Sequence, residues 1–164
     1  MKNHWHMFDP DPHKVKELSQ KLSCHPVTAS VLINRDIHTI QAATDFLNAS
    51  LNSIRSPFAL KDMDVAIHRI YKAISAKEKI LIFGDYDVDG ITATVILLNF
   101  LRYAGADVSY YIPHRVTEGY SIQPGHISRY ARPHKIDLII TADCGSDSHQ
   151  TVAAAKRFGI DMII

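Results

Sequence analysis

The sequence has little cysteine and no segment typical of a secretion signal. Its 164 residues include two cysteines, Cys24 and Cys144. Two thiols cannot form the disulfide framework of a small secreted domain, and free thiols are typical of the reducing cytosol. Because the sequence does not begin like a signal peptide, it predicts a cytoplasmic protein without a disulfide bond.

Long apolar runs and an excess of charge of one sign are also lacking. The apolar stretch from Ile91 to Ala104 is too short to span a bilayer and contains Asn99 and Arg102, so we expect no membrane segment. The formal net charge is +1, which gives no global basic field for nucleic acid. Any contact with nucleic acid must therefore come from a local basic surface.

The stretch from Lys79 to Thr92 carries the strongest signal in the chain. The apolar residues from Ile80 to Phe83 predict a buried strand, and Gly90 opens a second apolar segment that predicts a helix. Three aspartates stand between them at every second position: Asp85, Asp87 and Asp89. The pattern is therefore a strand, an acidic loop and a helix.

Three carboxylates this close together repel one another unless a cation offsets their charge. A divalent ion is the simplest explanation. Oxygen ligands favour Mg²⁺ or Mn²⁺ over zinc, since no cysteine or histidine stands here at zinc-finger spacing. The structural alternative is a solvated acidic turn in which Gly90 supplies a positive φ.

Two other motifs share part of this acidic pattern. An EF-hand calcium loop needs a glutamate at its twelfth position, and that position holds Ile96. The nucleophile loop of haloacid-dehalogenase phosphatases places its first aspartate directly after the strand, whereas Gly84, Asp85 and Tyr86 intervene before Asp87. The first match therefore fails and the second is weak.

Helical and strand patterns divide the chain at about residue 57. Residues 1–57 predict a small helical region, with helices from Lys14 to Leu22, from Pro26, and after a Thr39 cap. Residues 58–164 alternate helices and strands, which predicts an α/β fold with a parallel sheet. The helices are a segment capped by Asp62, Ile91 to Ala104, Pro124 to Arg132 and Ser148 to Phe158, and the strands are Lys79 to Phe83, Val108 to Ile112, Ile136 to Thr141 and Asp161 to Ile164. The helix from Ile91 is apolar on almost every side, which predicts burial between two layers.

A second acidic loop follows the strand that ends near Thr141. It contains Asp143, Cys144 and Gly145. Because sites in parallel sheets lie beyond the carboxyl ends of the strands, Asp143 can join the aspartates after the first strand in one metal site. Taken alone, Asp143 could equally cap the following helix. Cys144 lacks a base partner and is interpreted as a small buried residue.

A third loop, after the strand from Val108, carries groups suited to phosphate. Arg115 offers a planar fork of donors, His114 can donate to an oxyanion or act as an acid, and Gly119 permits a tight turn near a substrate. We predict a phosphate-binding loop here. The alternative is a surface loop with an incidental His-Arg pair.

Several of these motifs together closely resemble the RecJ family of the DHH phosphoesterase superfamily. The resemblance runs through Gly84 to Thr94, Tyr111 to Arg115, Glu118 to Tyr120, Asp143 to Gly145, and the N-terminal stretches His25 to Arg35 and Pro57-Phe58. It covers nearly the whole chain in order. It implies a Rossmann-like DHH domain over residues 58–164.

The resemblance also implies a chemistry. RecJ enzymes are Mn²⁺- or Mg²⁺-dependent phosphodiesterases that remove nucleotides from the 5′ end of single-stranded DNA in recombination and repair. The metal-binding aspartates of the family correspond to Asp85, Asp87, Asp89 and Asp143. The resemblance implies that Asp87, Asp89 and Asp143 are catalytic and that His114 and Arg115 orient the substrate phosphate. The chemistry of the loop adds His114 as a candidate catalytic acid and Gly119 as a candidate phosphate-binding position.

The family takes its name from an Asp-His-His triplet that follows the next strand, and the printed sequence stops within that strand, Asp161 to Ile164. We therefore expect an N-terminal fragment of such an exonuclease, inactive alone, with the C-terminal part as a candidate partner. One alternative is a non-catalytic assembly module that pairs with a separately encoded remainder. Another is a small oligonucleotide or cyclic-dinucleotide phosphodiesterase, against which the N-terminal helical region argues.

Overall fold

A computed structural model of the chain describes residues 8–164 and divides them into two units, one ending at Pro57 and one from Phe58 to Ile164. Helices α1 (Pro12–Leu22), α2 (Pro26–Ile33) and α3 (Ile40–Leu47) form the first unit. Their inward sides share a small apolar core of Leu18, Ala29, Leu32, Ile33 and Ala43. The Thr39 hydroxyl accepts a hydrogen bond from the Ala42 amide at 3.1 Å, which confirms the predicted cap of α3.

The second unit alternates helices and strands, as the sequence predicts. Its elements are α4 (Met63–Ser75), β1 (Lys79–Gly84), α5 (Val88–Tyr103), β2 (Asp107–Tyr111), α6 (Pro124–His126), β3 (Leu138–Ala142), α7 (His149–Arg157) and β4 (Asp161–Ile163). A π-helical turn, Ile127–Ala131, continues α6. Among residues 8–164, every helix is too short or too polar to cross a membrane.

The four strands form one parallel sheet in the order β2-β1-β3-β4. The α/β fold class with a parallel sheet is therefore confirmed. Strands β1 and β3 are adjacent, and their register pairs Gly84 with Ala142 at their carboxyl ends. The residues that follow each strand, Asp85 and Asp143, therefore emerge at the same edge.

Alternate residues of the two central strands face opposite layers. On one side Ile80, Ile82, Leu138 and Ile140 pack with Ala73, Leu98 and Leu101, which come from α4 and α5. On the other side Leu81, Phe83 and Ile139 pack with Ile122, Ile127, Ala131 and Ala155. Burial on both faces explains why β1 and β3 are continuous apolar runs and lack an alternating pattern.

Helix α5 corrects two predictions. It begins at Val88, before the predicted start at Ile91, because the Asp87 carboxylate accepts a hydrogen bond from the Gly90 amide at 3.1 Å and caps the helix. It is also not buried on all sides, since Ile96 and Phe100 are 68% and 65% exposed. The helix lies in an outer layer, where only one side faces the sheet.

Asp62 stands at the predicted cap position of α4, but the predicted side-chain cap is wrong. Asp62 occupies the cap position, but its backbone is left-handed, with φ of 58°, and its side chain makes no capping hydrogen bond. An Asp tolerates this conformation better than most residues, which accounts for its presence at the turn.

An ion-pair cluster around Arg69 joins α4 to the sheet. The Arg69 Nε donates to the Asp161 carboxylate at 2.6 Å, and Nη1 lies 2.7 Å from the Glu78 carboxylate without the alignment of a hydrogen bond. The Arg69 and Glu78 side chains are only 18% and 21% exposed. Breaking this pair leaves a partly buried charge without its partner.

We expect Arg69→Met to lower the free energy of unfolding by about 1–2 kcal/mol, because Glu78 then lacks its cation in a poorly hydrated position. Urea unfolding followed by circular dichroism measures the change. Lys72→Met on the exposed side of the same helix is the matched control and should change stability by less than about 0.5 kcal/mol. Equal effects of the two substitutions would contradict the assignment.

Candidate metal centre

Two glycines bring the acidic loop after β1 close to the start of α5. A Cβ on Gly84 would overlap the Thr94 hydroxyl, and a Cβ on Gly90 would lie 2.5 Å from the Asp85 carbonyl oxygen. A side chain at Gly84 would therefore displace the Thr94 side chain, and one at Gly90 would require movement of the backbone. This close contact places Asp85 at the bottom of the loop.

Asp85 is a buried carboxylate with an unpaired oxygen. Its side chain is 3% exposed, and within residues 8–164 its Oδ1 has no hydrogen-bond partner. A buried ionised carboxylate without a partner is strongly unfavourable, so native proteins pair such groups or coordinate them to metals. A bound cation would supply the partner that this oxygen lacks.

Asp143 reaches the same place from the loop after β3. Its backbone is left-handed, with φ of 61°, and its carbonyl accepts a hydrogen bond from the Tyr120 hydroxyl at 3.3 Å. Desolvation and the neighbouring charges of Asp87 and Asp89 raise the pKa of the Asp143 carboxyl. The next residue, Cys144, is buried, and burial raises its thiol pKa to about 11, which is unfavourable for a nucleophile.

The structure groups three of the four predicted metal-binding aspartates. Asp85, Asp87 and Asp143 each present an oxygen, and these oxygens lie within 4.8 Å of one another. Asp89 is outside this group, in the first turn of α5, and acts on Asp143 through its charge. Oxygen atoms from three carboxylates fit a hard divalent cation such as Mg²⁺ or Mn²⁺.

The loop after β2 lies beside this cluster. The Arg115 guanidinium stands over the ring of Tyr86, 5.2 Å from its centre, and Tyr86 separates Asp85 from Asp87 in sequence. His114 turns its Nδ1 toward its own loop, where it accepts from the Thr117 amide at 3.3 Å. Gly119 has φ of 79°, which a residue with a side chain rarely adopts, and so the turn requires glycine.

Glu118 holds this loop together, a role that the sequence alone did not indicate. Its carboxylate accepts from the His114 amide at 2.7 Å and from the Tyr111 hydroxyl at 2.6 Å, and lies 3.3 Å from His126 Nε2. These hydrogen bonds lower the pKa of Glu118, and the bond to Glu118 raises the pKa of Tyr111 to about 12. Glu118 stands four residues after His114, a spacing that does not by itself indicate the contact.

A cavity of about 620 Å³ lies between residues 120–124 and 145–151. Polar and apolar residues both line it, and Tyr120, Ser121 and Ser148 are among the polar ones. Its lining begins two residues after Asp143 in the same loop, and its volume is within the range of small-molecule sites.

Comparison with known proteins agrees with this geometry. The model of the DHH family, N-terminal domain, matches residues 79–164. A curated relative from Bacillus subtilis (strain 168), the single-stranded-DNA-specific exonuclease RecJ, is 39% identical over 163 residues, which are 99% of this chain and 21% of that protein. The chain thus spans about a fifth of the length of this relative.

Solved structures show the same similarity. One is the crystal structure of an exonuclease RecJ bound to manganese, which is 34% identical with a TM-score of 0.59 and covers 63% of this chain and 26% of that one. Another is RecJ from Thermus thermophilus in complex with Mn²⁺, which is 25% identical with a TM-score of 0.61 and covers 93% of this chain and 20% of that one.

The raised pKa of Asp143 gives a prediction for the metal-free protein. A carboxyl with a raised native pKa contributes stability below its unfolded pKa of about 3.9, and this contribution is lost as the pH rises through the native value. In Asp87→Asn one neighbouring charge is removed, so we expect the Asp143 pKa to fall. Carboxyl NMR titration in the presence of a chelator measures it, with Asp147→Asn as an exposed control from the same loop. An Asp143 pKa unaltered by Asp87→Asn would argue against the cluster.

Glu118→Gln should loosen the loop after β2, because it removes the charge and turns one of the two oxygens that accept from His114 and Tyr111 into an NH2 donor. We expect hydrogen exchange of the His114 amide to rise by about tenfold or more at neutral pH, as measured by NMR. In the unsubstituted protein the lowered pKa means that this stabilisation is present above the unfolded pKa of Glu and is lost as the pH falls through the native value. Glu17→Gln, in an exposed ion pair, is the control and should leave His114 unaffected.

Proposed function

The chain belongs to the DHH family, and from this membership we propose that it forms the metal-binding part of a single-stranded-DNA-specific exonuclease. In this proposal it contributes to metal-dependent 5′→3′ hydrolysis of phosphodiester bonds in DNA recombination and repair, in the cytoplasm. The curated relatives named as exonucleases RecJ support the substrate and the reaction.

One observation carries the proposal: carboxylates from two separate loops converge at one edge of the sheet around a buried, unpaired oxygen. Asp85, Asp87 and Asp143 supply this group. We propose that they hold Mn²⁺ or Mg²⁺, as the solved relatives in complex with these ions support. When bound, such an ion supplies an activated water and offsets charge on the phosphodiester.

The other proposed residues act around these ligands. We assign Asp89, which adds its charge at the same end of α5, as a further metal ligand and catalytic residue together with Asp87 and Asp143. Arg115 lies over the ring of Tyr86, the residue between Asp85 and Asp87, and has the planar donors that bind phosphate oxygens. His114 precedes it and is proposed to orient or protonate the phosphate, while Gly119 allows the loop to approach it.

We further propose that the 164-residue chain is inactive without additional ligands. A two-metal site clamps the attacking and the leaving oxygen with two ions. Within residues 8–164 a single group of three carboxylates is brought together, which suits one ion. Additional ligands would then come from the part of the enzyme that lies outside this chain, with single-stranded DNA as the substrate.

A titration of Mn²⁺ into the purified chain tests the metal site. We expect one ion to bind, and expect Asp87→Asn or Asp143→Asn to weaken binding by about tenfold or more, since each removes a charged ligand. Calorimetry or Mn²⁺ electron paramagnetic resonance gives the affinity. Asp147→Asn in the same loop as Asp143, whose carboxylate is fully exposed, is the matched control.

An assay on 5′-phosphorylated single-stranded DNA in the presence of Mn²⁺ completes the test. We expect no sustained degradation by the chain alone. Rapid degradation that Asp87→Asn abolishes would refute the proposed inactivity and support the nuclease. Failure of the unsubstituted chain to bind Mn²⁺ would refute the metal site itself.

A further inference from the structure

Ser121 has an unusual backbone conformation at the edge of the candidate metal centre. Its φ is 67°, in the left-handed region that disfavours residues with a Cβ atom. Serine is not one of the residues that adopt this region readily. A residue held there needs compensating contacts, and such positions concentrate at functional sites.

The Ser121 hydroxyl supplies those contacts. Its Oγ accepts a hydrogen bond from the Gly145 amide at 3.1 Å and lies 3.2 Å from Ser148 Oγ. Ser148 donates its own proton to the Ile122 carbonyl at 3.2 Å. Ser121 must therefore donate to Ser148, so that its hydroxyl is both acceptor and donor in one chain of bonds.

These bonds connect two different loops. Ser121 and Ile122 follow β2, whereas Gly145 and Ser148 belong to the segment 143–148 after β3, which we call the Asp143 loop. The Tyr120 hydroxyl donates to the Asp143 carbonyl in the same region, at 3.3 Å. The bond to Gly145 is two residues from the carboxylate that joins Asp85 and Asp87.

We infer that Ser121 is a positioning residue whose hydroxyl holds the Asp143 loop at the distance where the Asp143 carboxylate meets Asp85 and Asp87. The left-handed backbone directs Oγ toward Gly145, and the hydrogen bonds offset the unfavourable conformation. This inference rests on the proposed function for its effect on metal binding, but the loop contact itself is independent of the ion.

Two substitutions distinguish the effect of the hydroxyl from the effect of the backbone conformation. Ser121→Gly removes Oγ and relieves the left-handed conformation, whereas Ser121→Ala removes Oγ and retains the Cβ. Ser23→Gly is the matched control, because Ser23 also has a positive φ, 52°, but lies at the end of α1, away from these loops in the sequence. Each variant is measured for urea stability, hydrogen exchange of the Gly145 amide by NMR, and Mn²⁺ affinity.

We expect Gly145 exchange in both Ser121 variants to rise about three- to tenfold, as loss of one hydrogen bond predicts, and Mn²⁺ affinity to fall several-fold. Ser121→Gly should nevertheless be at least as stable as Ser121→Ala, because glycine accepts the positive φ. If Ser121→Gly is the more stable of the two variants and still binds Mn²⁺ more weakly than the unsubstituted chain, a general loss of structure does not explain the weaker binding. Ser23→Gly should leave both exchange at Gly145 and Mn²⁺ affinity unchanged.

An unchanged Gly145 amide in Ser121→Gly would overturn the inference, whatever the result with metal. Faster exchange with an unchanged Mn²⁺ affinity would also overturn it, since the carboxylate would then be placed without the hydroxyl. If the unsubstituted chain binds no Mn²⁺, the proposed function fails, and Gly145 exchange still decides whether Ser121 holds the loop.

Discussion

Repulsion between carboxylates is the constraint on which this structure depends. Strands β1 and β3 are neighbours in register, so the residues that follow Gly84 and Ala142 must emerge at one edge of the sheet. Those residues include Asp85 and Asp143, and one oxygen of the buried Asp85 has no hydrogen-bond partner in the part of the chain from residue 8 onward. Asp85 is buried, whereas Asp87 and Asp143 are exposed, and carboxylates whose oxygens lie within 4.8 Å of one another favour association with a cation. The fold therefore concentrates negative charge at this edge of the sheet, where a positive charge would be stabilising.

The parts of the chain that meet this edge limit how far the carboxylates can move apart. Gly84 and Gly90 let the loop after β1 pack directly against the start of α5. On the other side, the Tyr120 and Ser121 hydroxyls bind the backbone of the Asp143 loop. Backbone packing and hydroxyl contacts thus fasten both loops, and the Asp87 carboxylate adds its own bond to the Gly90 amide, so the acidic group is held together without an ion.

Much of the fold was predictable because it depends on local patterns. Buried runs such as Ile80 to Phe83 give strands, alternation with helices gives a parallel sheet, and the rule for carboxyl ends brings Asp143 to the first acidic loop. The start of α5 was missed because apolar periodicity does not report a cap. Asp87 was interpreted as a metal ligand, and its additional hydrogen bond to Gly90 begins the helix before the apolar run.

Contacts between distant or irregular segments were not predictable in this way. Glu118 accepts a hydrogen bond from the His114 amide, and Ser121 accepts one from the Gly145 amide in another loop. Neither contact follows a helical or strand repeat that could be recognised in the sequence. The exposed side of α5 was also misjudged. Its apolar composition predicts that every side of the helix is buried. In the structure one side is exposed, because no further layer covers it, and the sequence of a single helix does not indicate how many layers surround it.

Asp87 shows how helix geometry eases the constraint without removing it. Its side chain caps α5 by accepting from the Gly90 amide, and so the positive end of a 16-residue helix faces the acidic cluster. The helix end offsets part of the negative charge, which allows the loop to fold around its carboxylates. This contribution is small beside that of a divalent ion and decays within one turn of the helix. It does not satisfy the buried Asp85 Oδ1, which has no hydrogen-bond partner within residues 8–164, so this oxygen is the part of the cluster that the helix end leaves unpaired.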